Sequence, residues 1–462
     1  MDQNIKDCFK KSLDETAIPS ALYKKYSVKK GLRNEDGTGV LVGLTNISDV
    51  VGYKKVDGEK VDDYGTLYYR GINVKDIIEN GKGRRFLYEE VCFLILFGYL
   101  PNREELEHFK KMISDHYTLP ERYLELNILG YPEKNLMNKL QREVLMLYSY
   151  DDDPDNVGVL ETLYKGIDLI AKIPVIVSYT YQSKVHHFDK GSMIIHHQNY
   201  DYSIAEQILY LLRRDGTFSN KEAEVLNTAL ILHADHGGGN NSTFTNVVIS
   251  STGTDIYSAI SGAIGSLKGP KHGGANLAVK KQMELVINEI GIQASELRIR
   301  QIVQDILDGD FNDHTGLIYG IGHAVYTLSD PRSEILAKQC EELSYEKFRH
   351  DEYEFYRKFS AIAIEEIYKR KGIHVCTNVD FYSGLVYDML GIPEDLYTLL
   401  FVIGRTVGSL IILNLSFIVD ELLDLPLNLW ENLKNIKISK IDRESATKIA
   451  FFLLFSIKTL HF

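Results

Sequence analysis

The chain has little cysteine for its length. Four occur in 462 residues, at Cys8, Cys92, Cys340 and Cys376, with no Cys-x-x-Cys pair among them. Such spacing excludes a disulfide scaffold and a thiolate zinc site, and it suits a reducing cytoplasm, where the protein is expected to reside. Residues 1–14 are charged and lack an apolar centre, which excludes a secretory signal there. No apolar run is long enough to span a bilayer. The longest, 396–419, carries Arg405 in its middle and reads as a buried helix. Excess positive charge is also missing. A net charge of -12 argues against a nucleic-acid or anionic-membrane partner, and an anionic substrate would have to be met by arginines and lysines gathered at one site. Alternating strand patterns are few and short, and neither an internal repeat nor a low-complexity linker is present.

What is present is ordinary for a globular protein: 44% hydrophobic and 25% charged residues. The length exceeds what one hydrophobic core usually organises, so two domains are expected. Helical periodicity dominates, and the fold class is predicted to be mostly α. Apolar positions at three-to-four spacing mark helices over 87–98, 105–113, 138–150, 159–181, 203–213 and 223–232. The first should end at Gly98, with Pro101 following. The best strand pattern is 39–45, after the turn-rich Asn34-Glu35-Asp36-Gly37.

Four glycine-flanked segments could carry chemistry. Gly320-Ile321-Gly322-His323 leads through Asp330-Pro331 to Arg332, an imidazole on a glycine loop with a guanidinium close behind. The same residues also fit a plain glycine turn entering a helix capped by Asp330. His233-Ala234-Asp235-His236-Gly237-Gly238-Gly239-Asn240 first suggests a metal, but His-x-x-His without further His or Cys nearby lacks the ligand count zinc needs. Gly269-Pro270-Lys271-His272-Gly273-Gly274 follows a small-residue helix over 258–267 and fits either a substrate-facing histidine or a tight helix connection. In Asn378-Val379-Asp380-Phe381-Tyr382 one carboxylate sits among apolar and aromatic neighbours. Burial would raise its pKa and make it a stronger base once ionised, although a cap or salt-bridge role is equally compatible with the local sequence.

Taken together, these segments resemble the citrate synthase family over roughly residues 31–408, with Gly31 to Val40 and Leu67-Tyr68-Tyr69-Arg70-Gly71 similar to its N-terminal segments. The latter two read as β-turn and strand end. The resemblance implies a two-domain helical fold: a large domain from 1–276 and 391–462, and a small domain from 277–390. It implies a homodimer that condenses acetyl-coenzyme A with oxaloacetate and hydrolyses the citryl thioester, with no permanently bound cofactor and no metal. Asp380 would remove a proton from the acetyl methyl group. His272, kept neutral by a nearby helix N-terminus, would donate to the thioester oxygen. His323 would polarise and protonate the oxaloacetate carbonyl. His236, Arg332 and Arg405 would hold the dicarboxylate, arginine supplying a bidentate geometry that lysine lacks. The two lobes would close over the substrates. A 2-methylcitrate synthase using propionyl-coenzyme A is an alternative, since one methylene in an acyl pocket discriminates by only about 1–3 kcal/mol. A metal-dependent hydrolase built on His233 and His236 is a third reading. Thr327 stands where many family members carry a basic residue near the coenzyme phosphates. Lys371 is a weak substitute that reads equally as a solvated helix end.

The resemblance stops after Gly404-Arg405-Thr406-Val407-Gly408. Family members continue with a Trp, an Ala-His pair and a Glu, then an Arg-Pro whose arginine reaches the neighbouring subunit's substrate. Here the chain reads Ser409-Leu410-Ile411-Ile412, with no arginine until Arg443 and no Arg-Pro after Arg405. A shifted reading frame accounts for this. Asp420-Glu421, read one base off, yields Arg as its only sense codon, and Trp430-Glu431 yields Gly. Residues from about 409 are therefore expected to be translated out of frame, as against a divergent C-terminal helix, and the gene's codons decide between the two. A protein ending this way would lose one guanidinium at its substrate, at a cost of roughly 3–5 kcal/mol for a buried unpaired carboxylate. It could be a poorly active product of a damaged gene, with an apolar stretch at 449–457 prone to aggregation.

Overall fold

The computed structural model describes Thr45 and residues 47–56, 59–269 and 272–423, the last helical turns from 411 by backbone alone. The strand expected over 39–45 lies outside the described residues except for Thr45, as do Pro270 and Lys271. The described residues through Asn414 belong to one compact unit; a second begins at Leu415, and only its first residues, to Leu423, are described.

The described sheet has three antiparallel strands in the order β1–β2–β3: β1 Ser48–Val56, β2 Glu59–Tyr69 and β3 Ile72–Asn73. Ser48 pairs with Tyr69, and the register shifts between Val51 and Tyr53. Sequence periodicity does not single out these strands, because Lys54, Asp62 and Tyr64 leave little regular alternation. The strand end expected over 67–71 is there: β2 stops at Tyr69, and Arg70 and Gly71 follow at positive φ (48° and 81°).

Apart from an isolated bridge between Ile321 and Thr377, the other regular elements among the described residues are helical, as expected from the periodicity. α1 (Val74–Asn80) follows β3 directly, and α2 (Leu87–Phe97) is apolar and buried along nearly its whole length, ending at Gly98 in the left-handed conformation. α3 (Arg103–Asp115) starts on a capping box of Asn102 and Glu105. α4 (Leu136–Met146) passes into a short 3₁₀ turn, and α5 (Val159–His187) runs six residues past the expected end at 181. α5 accommodates Pro174 internally, and its last turn is enriched in Lys184, His186 and His187, which suit the negative end of the helix dipole. α6 (Ile204–Leu212) and α7 (Asn220–His233) both begin on Ser/Glu capping boxes. Then come α8 (Asn241–Ser250), α9 (Ile256–Leu267), α10 (Ala275–Ile290), α11 (Glu296–Asp308), α12 (Pro331–Glu346), α13 (His350–Lys371), α14 (Val379–Met389) and α15 (Tyr397–Leu423). Asp330 caps α12 through Arg332 N, with Pro331 at its first position, as the sequence predicts. No described helix is long and apolar enough to cross a membrane.

The core runs through α2, the middle of α5 and α7, whose Val225, Leu226, Leu230, Ile231 and Leu232 are inaccessible to solvent. A polar intrusion into it is Glu89 on α2. Oε1 accepts from Ile204 N at 2.6 Å, while Oε2 is buried without a partner, and burial pushes the carboxyl up to about 7. The folded protein therefore holds a proton that the unfolded chain releases near pH 4.5, so stability is lost as pH rises from that value through about 7. Glu89→Gln is expected to raise the melting temperature at pH 8 and to bring little or no gain at pH 5. An equal shift at both pH values would show that Glu89 is not the titrating group.

Candidate active site

Three loops, carrying His236, His272 and His323, and three helices, carrying Arg332, Asp380 and Arg405, supply the candidate residues. α7 delivers His233 at its last turn, and Ala234 and Asp235 carry the chain on to His236. The ring of His236 meets that of His323 edge to face at 5.2 Å. His236 Nε2 is buried and takes no hydrogen bond, and burial, with Arg332 adding to it, holds the imidazole well below its usual range.

His323 sits in the glycine loop between α11 and α12. Its Nδ1 accepts from the backbone N–H of both Val325 and Tyr326, each at 3.1 Å. An atom that accepts two N–H groups carries no proton, so the neutral ring has its hydrogen on Nε2. Burial, then the Arg332 charge, hold its pKa down at about 4, so the ring is neutral throughout the physiological range. Tyr326 stacks on it at 4.8 Å and 25°.

Asp380 stands in the first turn of α14, and the loop ahead of that helix is tied to the histidine loop by backbone. Gly322 N donates to Cys376 O and Asn378 N to Gly320 O, while Asn378 Nδ2 reaches Gly322 O at 3.0 Å. Asn378 also caps α14 by accepting from Asp380 N. Burial lifts Asp380 to about 6, and the positive charge of Arg332 works against that rise.

His272, just ahead of α10, has Nε2 at 2.9 Å from Ser242 Oγ in the first turn of α8. Its pKa is lowered, as expected for a neutral imidazole. Burial comes first and the Arg405 charge second, and the ring stands just ahead of the N-terminus of α10. Arg405, in α15, is buried and donates from Nε to His233 O at 2.7 Å. Arg332 is equally buried, and its fork already grips Asp330 in a bidentate pair (Nε to Oδ1 3.0 Å, Nη2 to Oδ2 2.7 Å). That carboxylate is the helix cap seen in the sequence. Its second task, neutralising the arginine, is visible only in three dimensions.

Of the six residues singled out by sequence, His236 and His323 are in direct ring contact, and the two arginines link the others through their charge. Arg332 acts electrostatically on His236, His323 and Asp380, and Arg405 on His236 and His272. His233 points elsewhere: Nε2 bonds the Tyr387 hydroxyl at 2.9 Å, so the His-x-x-His pair does not converge on one point. Among the described residues no group of three or more His, Cys, Asp or Glu is placed to hold a metal ion. Lys371 is an exposed helix end. Sequence reading missed Ser242, Asn378, Tyr326 and Ser48, none of which carries a local signal of its role.

A family model described as "Citrate synthase, C-terminal domain" matches residues 34–411. The chain belongs to the citrate synthase family. Curated relatives include a citrate synthase of Haloferax volcanii, 33% identical over 82% of this chain and 90% of its own length, and citrate synthase 2 of Bacillus subtilis, 35% identical over 80% and 89%. Similar solved structures include the citrate synthase of Pyrobaculum aerophilum (TM-score 0.68, 27% identity, 87% of this chain and 91% of that one). The Thermoplasma acidophilum citrate synthase in ternary complex with carboxymethyl coenzyme A and oxaloacetate is another (TM-score 0.66, 26% identity, 84% and 91%). The mostly helical architecture is that of the two-domain family fold. The matched segment contains all six site residues and ends within α15.

Proposed function

We propose that this family member condenses acetyl-coenzyme A with oxaloacetate and hydrolyses the citryl thioester to citrate and coenzyme A. The observation that carries the reading is the pairing of one carboxylate, raised to about 6, with three neutral imidazoles around two buried guanidiniums. A thioester α-carbon is a weak acid, and forming its enol needs a positioned base together with a donor on the developing oxyanion. Asp380 takes the methyl proton. His272, with Nε2 engaged by Ser242, offers Nδ1 to the thioester oxygen. His323 Nε2–H donates to the oxaloacetate carbonyl and protonates it as the carbon–carbon bond forms, its Nδ1 being held by two backbone amides. His236, Arg332 and Arg405 hold the carboxylates. The ternary complex of the Thermoplasma relative supports the same substrate pair here. His323, Arg332 and Asp380 fall within 277–390, which we take as the small lobe, and His236, His272 and Arg405 fall outside it. The site would then complete itself when the lobes close.

The deciding experiment is thiol release by the purified protein with oxaloacetate and either acetyl- or propionyl-coenzyme A. Faster release with acetyl-coenzyme A is expected; preference for propionyl would make the chain a 2-methylcitrate synthase. The base must be ionised to act, so kcat/KM should fall as pH drops through about 6, with no histidine titration between pH 6 and 8. A profile flat down to pH 5 would remove Asp380 from the role of base.

We place the enzyme in the cytoplasm as a homodimer. Support for the dimer comes from α4, α5, α8 and α9, which pack in the order α5–α4–α9–α8 and leave Leu145, Met146, Tyr164 and Val248 exposed. Light scattering giving the monomer mass would refute it. A second reading is favoured by the end of the family match at residue 411: residues from about 409 are read out of frame, and the product is poorly active. That segment falls in the last turns of α15 and then outside the described residues. Thiol release that is absent in this chain but recovered when those codons are rewritten in the shifted frame would establish it.

A further inference from the structure

The β1–β2 pair touches the site without contributing any residue to the chemistry proposed above. Its backbone lies flat against the segment that follows His323. A Cβ at Gly52 would stand 2.4 Å from Val325 O, and one at Gly65 would stand 2.1 Å from Ser329 O and 2.7 Å from the Tyr326 ring. Neither glycine has positive φ, so it is contact distance and not backbone conformation that demands glycine at both positions. Gly65 N donates to Ser329 Oγ at 3.1 Å, and the Tyr326 hydroxyl donates to Thr66 O at 3.3 Å. The first residue of β1 reaches the other histidine loop. Ser48 Oγ donates to the buried carboxylate of Asp235, and Gly237 N donates to Ser48 Oγ at 2.8 Å, so the two residues flanking His236 are clasped by the strand.

These contacts end on the groups that orient the two histidines. Val325 N and Tyr326 N are the donors that keep His323 Nδ1 free of a proton, and the Tyr326 ring fixes the imidazole plane. We propose that the β1–β2 pair is a brace for the active site. It seats through Gly52 and Gly65 on the 325–329 segment, fixes His323 as its Nε2–H tautomer through Tyr326, and registers His236 against it through the Ser48–Asp235 clasp. The functional consequence rests on the proposed condensation; the structural one does not. Gly52, Gly65, Ser48 and Tyr326 are positioning residues, for none of them needs to touch substrate.

The test uses the full chain, labelled with ¹⁵N-histidine, as Gly65→Ala, Ser48→Ala and Ser48→Thr. In the parent protein, proton–nitrogen correlation should show His323 protonated at Nε2 alone. Gly65→Ala should give a mixture of tautomers and lower kcat by about 100-fold, the scale of a displacement near 1 Å in a reacting group. Ser48→Ala should raise the KM for oxaloacetate more than it lowers kcat, with Ser48→Thr, which keeps the hydroxyl, recovering most of the loss. A folded Gly65→Ala protein with an unchanged tautomer and rate would overturn the brace. If Gly65→Ala does not fold, Ser329→Ala removes the acceptor of Gly65 N without adding volume and is read in the same way. A parent protein that releases no thiol would count against the proposed reaction, while the His323 spectrum would still decide the brace.

Discussion

Asp380→Asn is expected to lower kcat by about 10²–10⁴-fold, the usual contribution of a positioned general base, while oxaloacetate still binds. The amide keeps the shape of the carboxylate and the Asn378 cap beneath it, because that cap uses the backbone N–H of residue 380 and not its side chain. Removing a buried carboxylate raised to about 6 also removes a desolvated charge at neutral pH. The variant should therefore be at least as heat-stable as the parent protein above pH 6. The folded pKa lies above the unfolded value, so ionised Asp380 costs stability, and that cost is complete once pH exceeds about 6. Stopped-flow proton exchange at the acetyl methyl, measured by deuterium wash-in, reads the base directly. Wash-in that survived the substitution would assign proton abstraction to another group.

Arg332→Leu should be the most damaging single change, and it should act on stability and binding together. Arg332 is the bidentate partner of Asp330, and both side chains are essentially inaccessible to solvent. Deleting one member of such a pair leaves a buried charge uncompensated, at a cost of about 3–5 kcal/mol. It also removes the positive charge that stands near His236, His323 and Asp380. Oxaloacetate affinity is expected to fall by roughly 100-fold or more, since a carboxylate loses a fork that lysine replaces poorly. The double change Arg332→Leu with Asp330→Asn separates the two effects. It should recover much of the melting temperature, because no naked carboxylate remains, and recover none of the oxaloacetate binding. Recovery of both would mean that Arg332 serves only its helix cap.

The proposed site residues other than Arg405 were legible because each lies in a short segment with its own local signal; Arg405, inside an apolar helix pattern, was singled out only by the family resemblance. Glycines at 320 and 322 frame His323, and Asp330-Pro331 announces a helix start two residues ahead of Arg332. The match of these segments to a known family supplied their roles, which spacing alone left open between catalysis and turn structure. Ser242 and Tyr326 were not legible. A serine in the first turn of α8 and a tyrosine in a loop look like any others until folding puts one on His272 and the other under His323. β1 and β2 were passed over for a related reason. Much of each strand is exposed, so selection for alternation is weak, and what their residues satisfy is the distant 325–329 segment.

By itself the sequence determined those helix ends that carry a cap, since capping boxes, the Asp-Pro start of α12 and the glycine stop of α2 are hydrogen bonds and backbone preferences within a few residues. Only the tertiary structure decided the chemistry of the site. It determined that burial lifts the Asp380 carboxyl to about 6, that His323 is neutral with its proton on Nε2, and that Arg332 is already paired. The reason is electrostatic. A pKa and a tautomer depend on how completely water is excluded and on which charges and donors stand nearby, and distant parts of the chain supply both.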